Sequence, residues 1–439
     1  MKIAACAVAI AVAIVLTVFS EADPQLARTL MLAFVCVVLW LSELLPPFVP
    51  TMILLGGAPL LLGAFGPDYQ FANVLTWAAD PVLVLFFGGF VFGVTAQRHH
   101  LDVRLARFVI TTSSGSSRRL VALMLLSTAV LSMWMSNVAA AAVMVAVLRP
   151  IVSARRGDDF PAKAVFLAVA AGANVGGMAT PIGTGPNAIA IAAATPDARI
   201  TFLGWMAFAV PLTLGMLLAA YMILIFRYRV RAPFAIASIA GRPLDARARG
   251  AVALMLVGVA AWLLEPVHGV TAPIVALIVA TAIFATGLLK TADLAAVDWP
   301  TLGLIGGGIS LGRLLEAGGV LERVPALLEL AGGSPAVQLG VFVVASALMS
   351  ALMSNTATAA LLIPLASVAY PMPSTAILIA MACSFGMPFV ISTPPNAIVH
   401  GQAGVTAADL MWVGLPIMIL GCAVLIATGP AVLAWIGFG

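Results

Sequence analysis

Two Ser-Asn pairs interrupt long apolar runs of this chain: Ser136 and Asn137 within LSMWMSNVAAAAVMV, and Ser354 and Asn355 within ALMSNTATAALLIP. Two further polar breaks follow them, GTGPNAIA from Gly183 and STPPNAIV from Ser392. In hydrocarbon an unpaired peptide group costs several kcal/mol, so non-helical backbone survives only where protein, water or a ligand satisfies it. A half-helix N-terminus offers free N–H groups and a positive dipole end to an anion, while unwound carbonyls and C-terminal ends can hold a small cation. Neutral Ser, Thr and Asn side chains complete such coordination without burying a fixed charge. Each break alone could serve close packing or a kink. Paired and in register, the four predict an anion site with cation sites beside it, near the membrane midplane.

The elements that must position these residues follow from composition. The 439 residues are 63% apolar and 9% charged, and the mean hydropathy is +1.15, which excludes a disordered segment and an ordinary soluble domain. At roughly 20 apolar residues per span, the chain divides into about eleven crossings and two shorter irregular pieces. The expected fold is an all-α polytopic membrane protein. Its helices are expected near 3 to 19, 27 to 45, 51 to 65, 81 to 97, 163 to 194, 202 to 226, 250 to 264, 271 to 289, 300 to 313, 373 to 403 and 408 to 437. The run from Ile3 to Phe19 is long for a signal peptide and has no convincing cleavage site, so it is read as the first helix. Segments near 99 to 113 and 318 to 332 mix apolar and charged residues at helical spacing and are read as interfacial helices. Cys6, Cys36, Cys383 and Cys422 stand singly in apolar runs and are read as packing residues.

Charge sets the orientation. Arg98, Arg104, Arg107, Arg118 and Arg119 precede the first Ser-Asn segment, and Arg149, Arg155, Arg156 and Lys163 follow it, which makes both flanks cytoplasmic. Too few residues lie between these flanks for two crossings, so Arg118 to Pro150 is expected to be a re-entrant hairpin with Ser136 and Asn137 at its tip. The second hairpin, about Pro335 to Tyr370, has the opposite surroundings, because no Lys or Arg follows Arg323. A glycine-rich landmark precedes each hairpin: FFGGFVFG from Phe86 and IGGGISLG from Ile305. Three landmarks in one order with opposite charge bias make an inverted repeat. The arginines at 227, 229, 231, 242, 247 and 249 mark a cytoplasmic connection between the halves. The reading places the protein in the inner (cytoplasmic) membrane, with its N-terminus cytoplasmic and its C-terminus outside. The net charge of +4 is explained by orientation, and no nucleic-acid partner is read from it.

The SNT of the second hairpin, its partner in the first and NVGGMATPIGTGPN (Asn174 to Asn187) resemble the divalent anion/sodium symporter family, which carries dicarboxylates, citrate or sulfate. The resemblance covers roughly residues 80 to 430. It implies substrate contacts from Ser136, Asn137, Ser354, Asn355 and Thr356, and from Thr184, Gly185, Thr393 and Pro394 at the breaks. It implies sodium ions held by Ser132, Ser136, Asn137 and Gly183 on one side and by Ser350, Asn355 and Ser392 on the other. It also implies a homodimer in which scaffold helices (1–115 and 232–333) hold a transport domain (116–231 and 334–439) that moves as an elevator. Two positions depart from the family. Val138 stands where the first tip would carry a hydroxyl, removing a bond of roughly 1 kcal/mol, or about 1.5–3 if made to a charged group. Gly185 stands where proline is usual.

The reading is therefore import of a small divalent anion, a C4-dicarboxylate such as succinate, malate or fumarate, coupled to sodium. Moving a dianion inward against about 100 mV costs roughly 2 × 2.3 kcal/mol, so two sodium ions would only neutralise it and at least three would drive import electrically. The tips and breaks carry no Lys or Arg, which makes bound cations the natural counter-charge. A sodium-independent dicarboxylate or sulfate exchanger is the first alternative, with His400 as its nearest candidate cation. A cation/proton antiporter is the second, but it needs a carboxylate at membrane depth. Glu43, Asp80, Glu265, Asp298 and Asp409 all fall near predicted helix ends and are read as anchors. An enzyme is not expected, because Ser136 and Ser354 have no His or Asp partner in their motifs.

Overall fold

The computed structural model describes residues 23–438 apart from 43, 154–160, 195–199, 231–244 and 327–331, with a few positions between 10 and 17. The expected first crossing falls almost wholly outside the described residues, as do Glu43, Arg155, Arg156, Arg231 and Arg242. All described regular structure is helical. The order is α1 (Pro24–Ser42), α2 (Val49–Leu62), a short α3 (Phe71–Trp77), α4 (Pro81–Arg98), α5 (Leu101–Thr112), α6 (Ser117–Ser132), α7 (Asn137–Ser153), α8 (Ala162–Gly176), α9 (Gly185–Ala192) and α10 (Phe202–Arg227). The second half continues with α11 (Ala246–Leu263), a single turn at Glu265–His268, α12 (Ala272–Ala285), α13 (Trp299–Ala317), α14 (Pro335–Leu352), α15 (Asn355–Ala369), α16 (Pro373–Ser384), α17 (Pro394–Val399) and α18 (Ala407–Trp435). Seven described helical stretches, those beginning at Pro24, Pro81, Ala162, Phe202, Ala246, Pro335 and Ala407, are long and apolar enough to cross a membrane.

The hairpins form where the sequence places them. Both start at a serine cap: Ser116 Oγ accepts from the Arg119 amide at 3.4 Å, and Ser334 Oγ accepts from the Val337 amide at 3.4 Å. At 1.5 Å per residue α6 rises about 24 Å, short of a bilayer core of about 30 Å. Each arm ends where its serine and asparagine turn the chain back, between Ser132 and Asn137 and between Leu352 and Asn355. The two expected long helices at 163 to 194 and 373 to 403 are each broken, into α8 with α9 and into α16 with α17, with irregular backbone between. Proline and glycine favour this: Pro186, Pro394 and Pro395 have no N–H to lose in the first turn of a new helix, and that is where each stands.

The largest buried apolar cluster joins both hairpins and both broken helices with α10 and α18, through residues such as Met124, Phe166, Trp205, Ile379 and Phe385. Two separate clusters gather the remaining helices. One is built on Phe86, Phe92 and Trp262 of α4 and α11, and the other on Trp40, Leu54 and Leu311 of α1, α2 and α13. The glycine landmarks lie on the faces where these bodies meet. A Cβ on Gly93 would lie 2.8 Å from that of Met135 beside the first tip, and one on Gly308 would lie 2.8 Å from that of Ala360 on α15. Glycine leaves α4 and α13 smooth where the hairpins approach. The expected amphipathic segment at 99 to 113 is α5, and the one at 318 to 332 is seen only as a short 3-10 turn at Leu321–Arg323 and the few residues after it.

Candidate functional site

Behind each tip three oxygens converge. Ser132 Oγ lies 2.6 Å from Asn137 Oδ1 and 2.7 Å from the Ala173 carbonyl oxygen. Ser350 Oγ lies 2.7 Å from Asn355 Oδ1 and 2.6 Å from the Cys383 carbonyl oxygen. A serine hydroxyl has one proton and cannot point it fully at two acceptors. Each cluster therefore holds more lone pairs than protons, and both serines are wholly buried. Such a cluster of neutral oxygens suits a small hard cation.

The breaks are tied to the tips and to each other. Thr180 Oγ1 donates to the Met133 carbonyl at 2.6 Å, and Ser392 Oγ donates to the Ala351 carbonyl at 2.6 Å, so each irregular segment is anchored on its own hairpin. Asn187 Nδ2 donates to the carbonyls of Gly177 (3.1 Å) and Thr180 (2.8 Å); Asn396 Nδ2 donates to those of Met387 (2.9 Å) and Phe389 (2.8 Å). These asparagines replace the helical bonds that the unwound backbone has lost. Asn174 Nδ2 then donates to Asn396 Oδ1 at 3.0 Å, linking the break of one half to that of the other. Thr393 Oγ1 caps α17 by accepting from the Asn396 amide at 3.4 Å, whereas the Thr184 side chain makes no such cap on α9.

The tips and breaks open onto one cavity of about 670 Å3. Twelve residues singled out from the sequence line it: Ser136, Asn137, Val138, Gly183, Thr184 and Gly185 from the first half, and Ser354, Asn355, Thr356, Ser392, Thr393 and Pro394 from the second. Ser132 and Ser350 do not line it but stand one layer behind, each holding its asparagine. The opposite wall comes from α1, α4 and α13 and the chain after α1, with Trp40, Leu45, Pro47, Phe86, Phe90, Thr301 and Leu304. Among the described residues no Lys, Arg or His lines the cavity, and His400 is exposed outside it.

At the two departures the structure is specific. A Cβ built on Gly185 would overlap Thr356 Oγ1 and lie 2.8 Å from Thr356 Cγ2. Glycine is thus the residue that lets the start of α9 approach the second tip. Thr356 is only 8% exposed, while Val138 is 41% exposed at the cavity.

Sequence reasoning left out Thr180, Asn174, Asn187 and Asn396 as individual contributors, although the last Asn of each Thr-x-Pro-Asn element was in plain view. It also read Asp298 as an anchor. Asp298 does cap α13, its Oδ1 accepting from the Thr301 amide at 3.2 Å, but it lines the cavity as well. Of the other four carboxylates read as anchors, Asp80 caps α4 and Asp409 closes a capping box on α18 while pairing with Lys163 Nζ at 3.1 Å. Glu265 is buried, and Glu43 lies outside the described residues.

Paired hairpins and broken helices around one shared cavity in an all-helical membrane chain define a secondary transporter. The citrate transporter family model matches residues 37–268 and 259–437, and the chain belongs to that family. It is 30% identical to an uncharacterized transporter of Haemophilus influenzae, over 91% of this chain and 89% of that one. It is 24% identical to the sodium-dependent dicarboxylate transporter SdcS of Staphylococcus saprophyticus, over 88% and 82% of the two chains. Among solved structures, that of the Alcanivorax borkumensis YdaH transporter aligns with a TM-score of 0.59 at 19% identity, covering 94% of this chain and 98% of that one, and shares the fold.

Proposed function

We propose that the protein imports a small divalent anion, a C4-dicarboxylate such as succinate, malate or fumarate, together with sodium ions. The observation that carries this reading is the pair of serine-asparagine-carbonyl clusters flanking a cavity without a single cationic side chain among the described residues. A dianion there needs positive charge from bound cations and from the helix ends at Asn137, Gly185, Asn355 and Pro394. In this reading Ser132, Asn137 and the Gly183 carbonyl hold one sodium, and Ser350, Asn355 and Ser392 hold another, with Ser136 shared between ion and anion. Ser136, Asn137, Val138, Thr184 and Gly185 face the anion from one side; Ser354, Asn355, Thr356, Thr393 and Pro394 face it from the other. The relative described as a sodium-dependent dicarboxylate transporter supports the same choice of ion and substrate class.

The cluster of hairpins, broken helices, α10 and α18 is the moving body in this proposal, and the remaining helices form a scaffold that pairs with a second copy of the chain. The arginine bias puts the hairpin of α6 and α7 on the cytoplasmic side of an inner membrane, the N-terminus inside and the C-terminus outside.

The test is uptake of radiolabelled succinate into proteoliposomes under an inward sodium gradient, with choline replacing sodium and unlabelled malate, citrate, sulfate and phosphate as competitors. Sodium-dependent uptake is the expected result. Uptake that requires preloaded internal anion and ignores sodium would replace symport by exchange.

A further inference from the structure

We infer that Asp298 is a specificity-determining residue of the scaffold wall, which draws the coupling cation into the cavity and keeps the anion from lodging on that wall. The inference rests on the transport reading of the cavity. Among the described residues that line it, Asp298 alone is ionisable. It belongs to the wall opposite the tips, with Thr301 and Leu304 of the same helix and Trp40, Leu45 and Pro47 across from it.

Two charges compete at this spot. In the first turn of α13 the Trp299 amide donates to the Val297 carbonyl at 2.9 Å and Pro300 has no N–H, so the Thr301 amide is the one donor left to a cap, at the positive end of the helix dipole. Left bare, that donor would attract an anion to this wall. Asp298 covers it: its Oδ1 accepts from the Thr301 amide, and its negative charge outweighs the half-charge of the helix end. Arg98 pairs with Asp293 at 3.6 Å. Among the described residues that line the cavity, Asp298 supplies the one charged group, while the tips opposite offer neutral oxygens and helix ends. A sodium ion is attracted along the whole cavity. A dianion is repelled by the wall and is held only at the tips, once cations have arrived there. This arrangement favours entry of the ion before the anion and prevents the anion from occupying the cavity alone.

Asp298→Asn is the informative variant, because asparagine caps a helix as well as aspartate does and so removes the charge while keeping the cap. Asp298→Ala removes both and reports on the cap. Trp40, at the cavity wall, supplies a fluorescence readout for a sodium titration of purified protein without any anion; succinate binding is then measured at fixed sodium. For Asp298→Asn the sodium midpoint should rise about two- to fivefold and the succinate midpoint should fall by a similar factor, as expected for one unit charge acting across a solvated cavity. Both changes should shrink when choline chloride is raised from about 0.02 M to about 0.5 M, since the Debye length falls severalfold over that range. Asp298→Lys should move both midpoints further in the same directions. A purely structural cap would leave Asp298→Asn indistinguishable from the parent while Asp298→Ala is impaired, and that result overturns the inference. If the parent itself shows no sodium response, the transport reading fails first and the inference with it.

Discussion

In the first half of the molecule Ser132 stands behind a tip, held to its Asn137, whose third residue is Val138; in the second, Ser350 stands behind one, held to its Asn355, whose third residue is Thr356. The deep layers agree to within 0.1 Å in their paired serine contacts, while the layer facing the cavity differs. Gly185 makes room for Thr356, whereas the corresponding break of the second half carries Pro394 and the first tip carries Val138. The comparison separates two tasks. In the proposed function the layer in which the halves are alike serves a spherical ion, and the layer in which they differ serves the anion.

The symmetry of the deep layer is broken most forcefully by removing its asparagines. Asn137→Ala or Asn355→Ala should lower uptake on the order of a hundredfold, the equivalent of about 3 kcal/mol of contacts to charged groups. Normal expression, an unchanged thermal melt and lost uptake would satisfy this expectation. Transport at the parent rate by either variant would remove that asparagine from the site. Gly185→Ala comes next, with a loss of about tenfold or more, because the added methyl must displace Thr356 or the start of α9. Its defect and that of Thr356→Ala should not add, since the two residues are in contact, and a double-mutant cycle measures this.

Ser132→Ala and Ser350→Ala sharpen the comparison instead of destroying it. Each should raise the sodium half-saturation of uptake by roughly tenfold, equivalent to about 1.4 kcal/mol or one hydrogen-bonding group. Similar shifts from the two halves would support matched ion positions; a shift from one alone would assign ion binding to that half. The smallest effect belongs to Val138→Thr, which restores a hydroxyl to the cavity face. It should change the ratio of succinate to sulfate competition about fivefold, close to one neutral hydrogen bond. An unchanged competition profile would place Val138 outside the recognition surface.

Much of this was legible in the sequence because a lipid environment punishes polar interruptions. Ser136, Asn137, Ser354 and Asn355 stand out against apolar neighbours, and the prolines at 186, 394 and 395 suit the start of a helix. The hairpins and both broken helices followed from those residues. The carbonyl partners did not, because nothing in the identity of Ala173 or Cys383 says that its backbone oxygen meets a serine some forty or thirty positions away. The complementarity of Gly185 and Thr356 was hidden for the same reason: a close approach between halves is a tertiary fact. The anchoring role read for Asp298 is met by its cap on α13, but its place at the cavity is not legible, because a carboxylate at a helix start looks the same whether the membrane surface or a cavity lies in front of it.

The most direct test of a shared site with one cation-bearing cluster per half is the ratio of labelled sodium to labelled succinate carried into proteoliposomes at a clamped, inside-negative potential. The account predicts at least three sodium ions per dianion, with uptake accelerated by the potential, because two ions would only neutralise the substrate. Succinate entry unaccompanied by sodium and indifferent to the potential would contradict it.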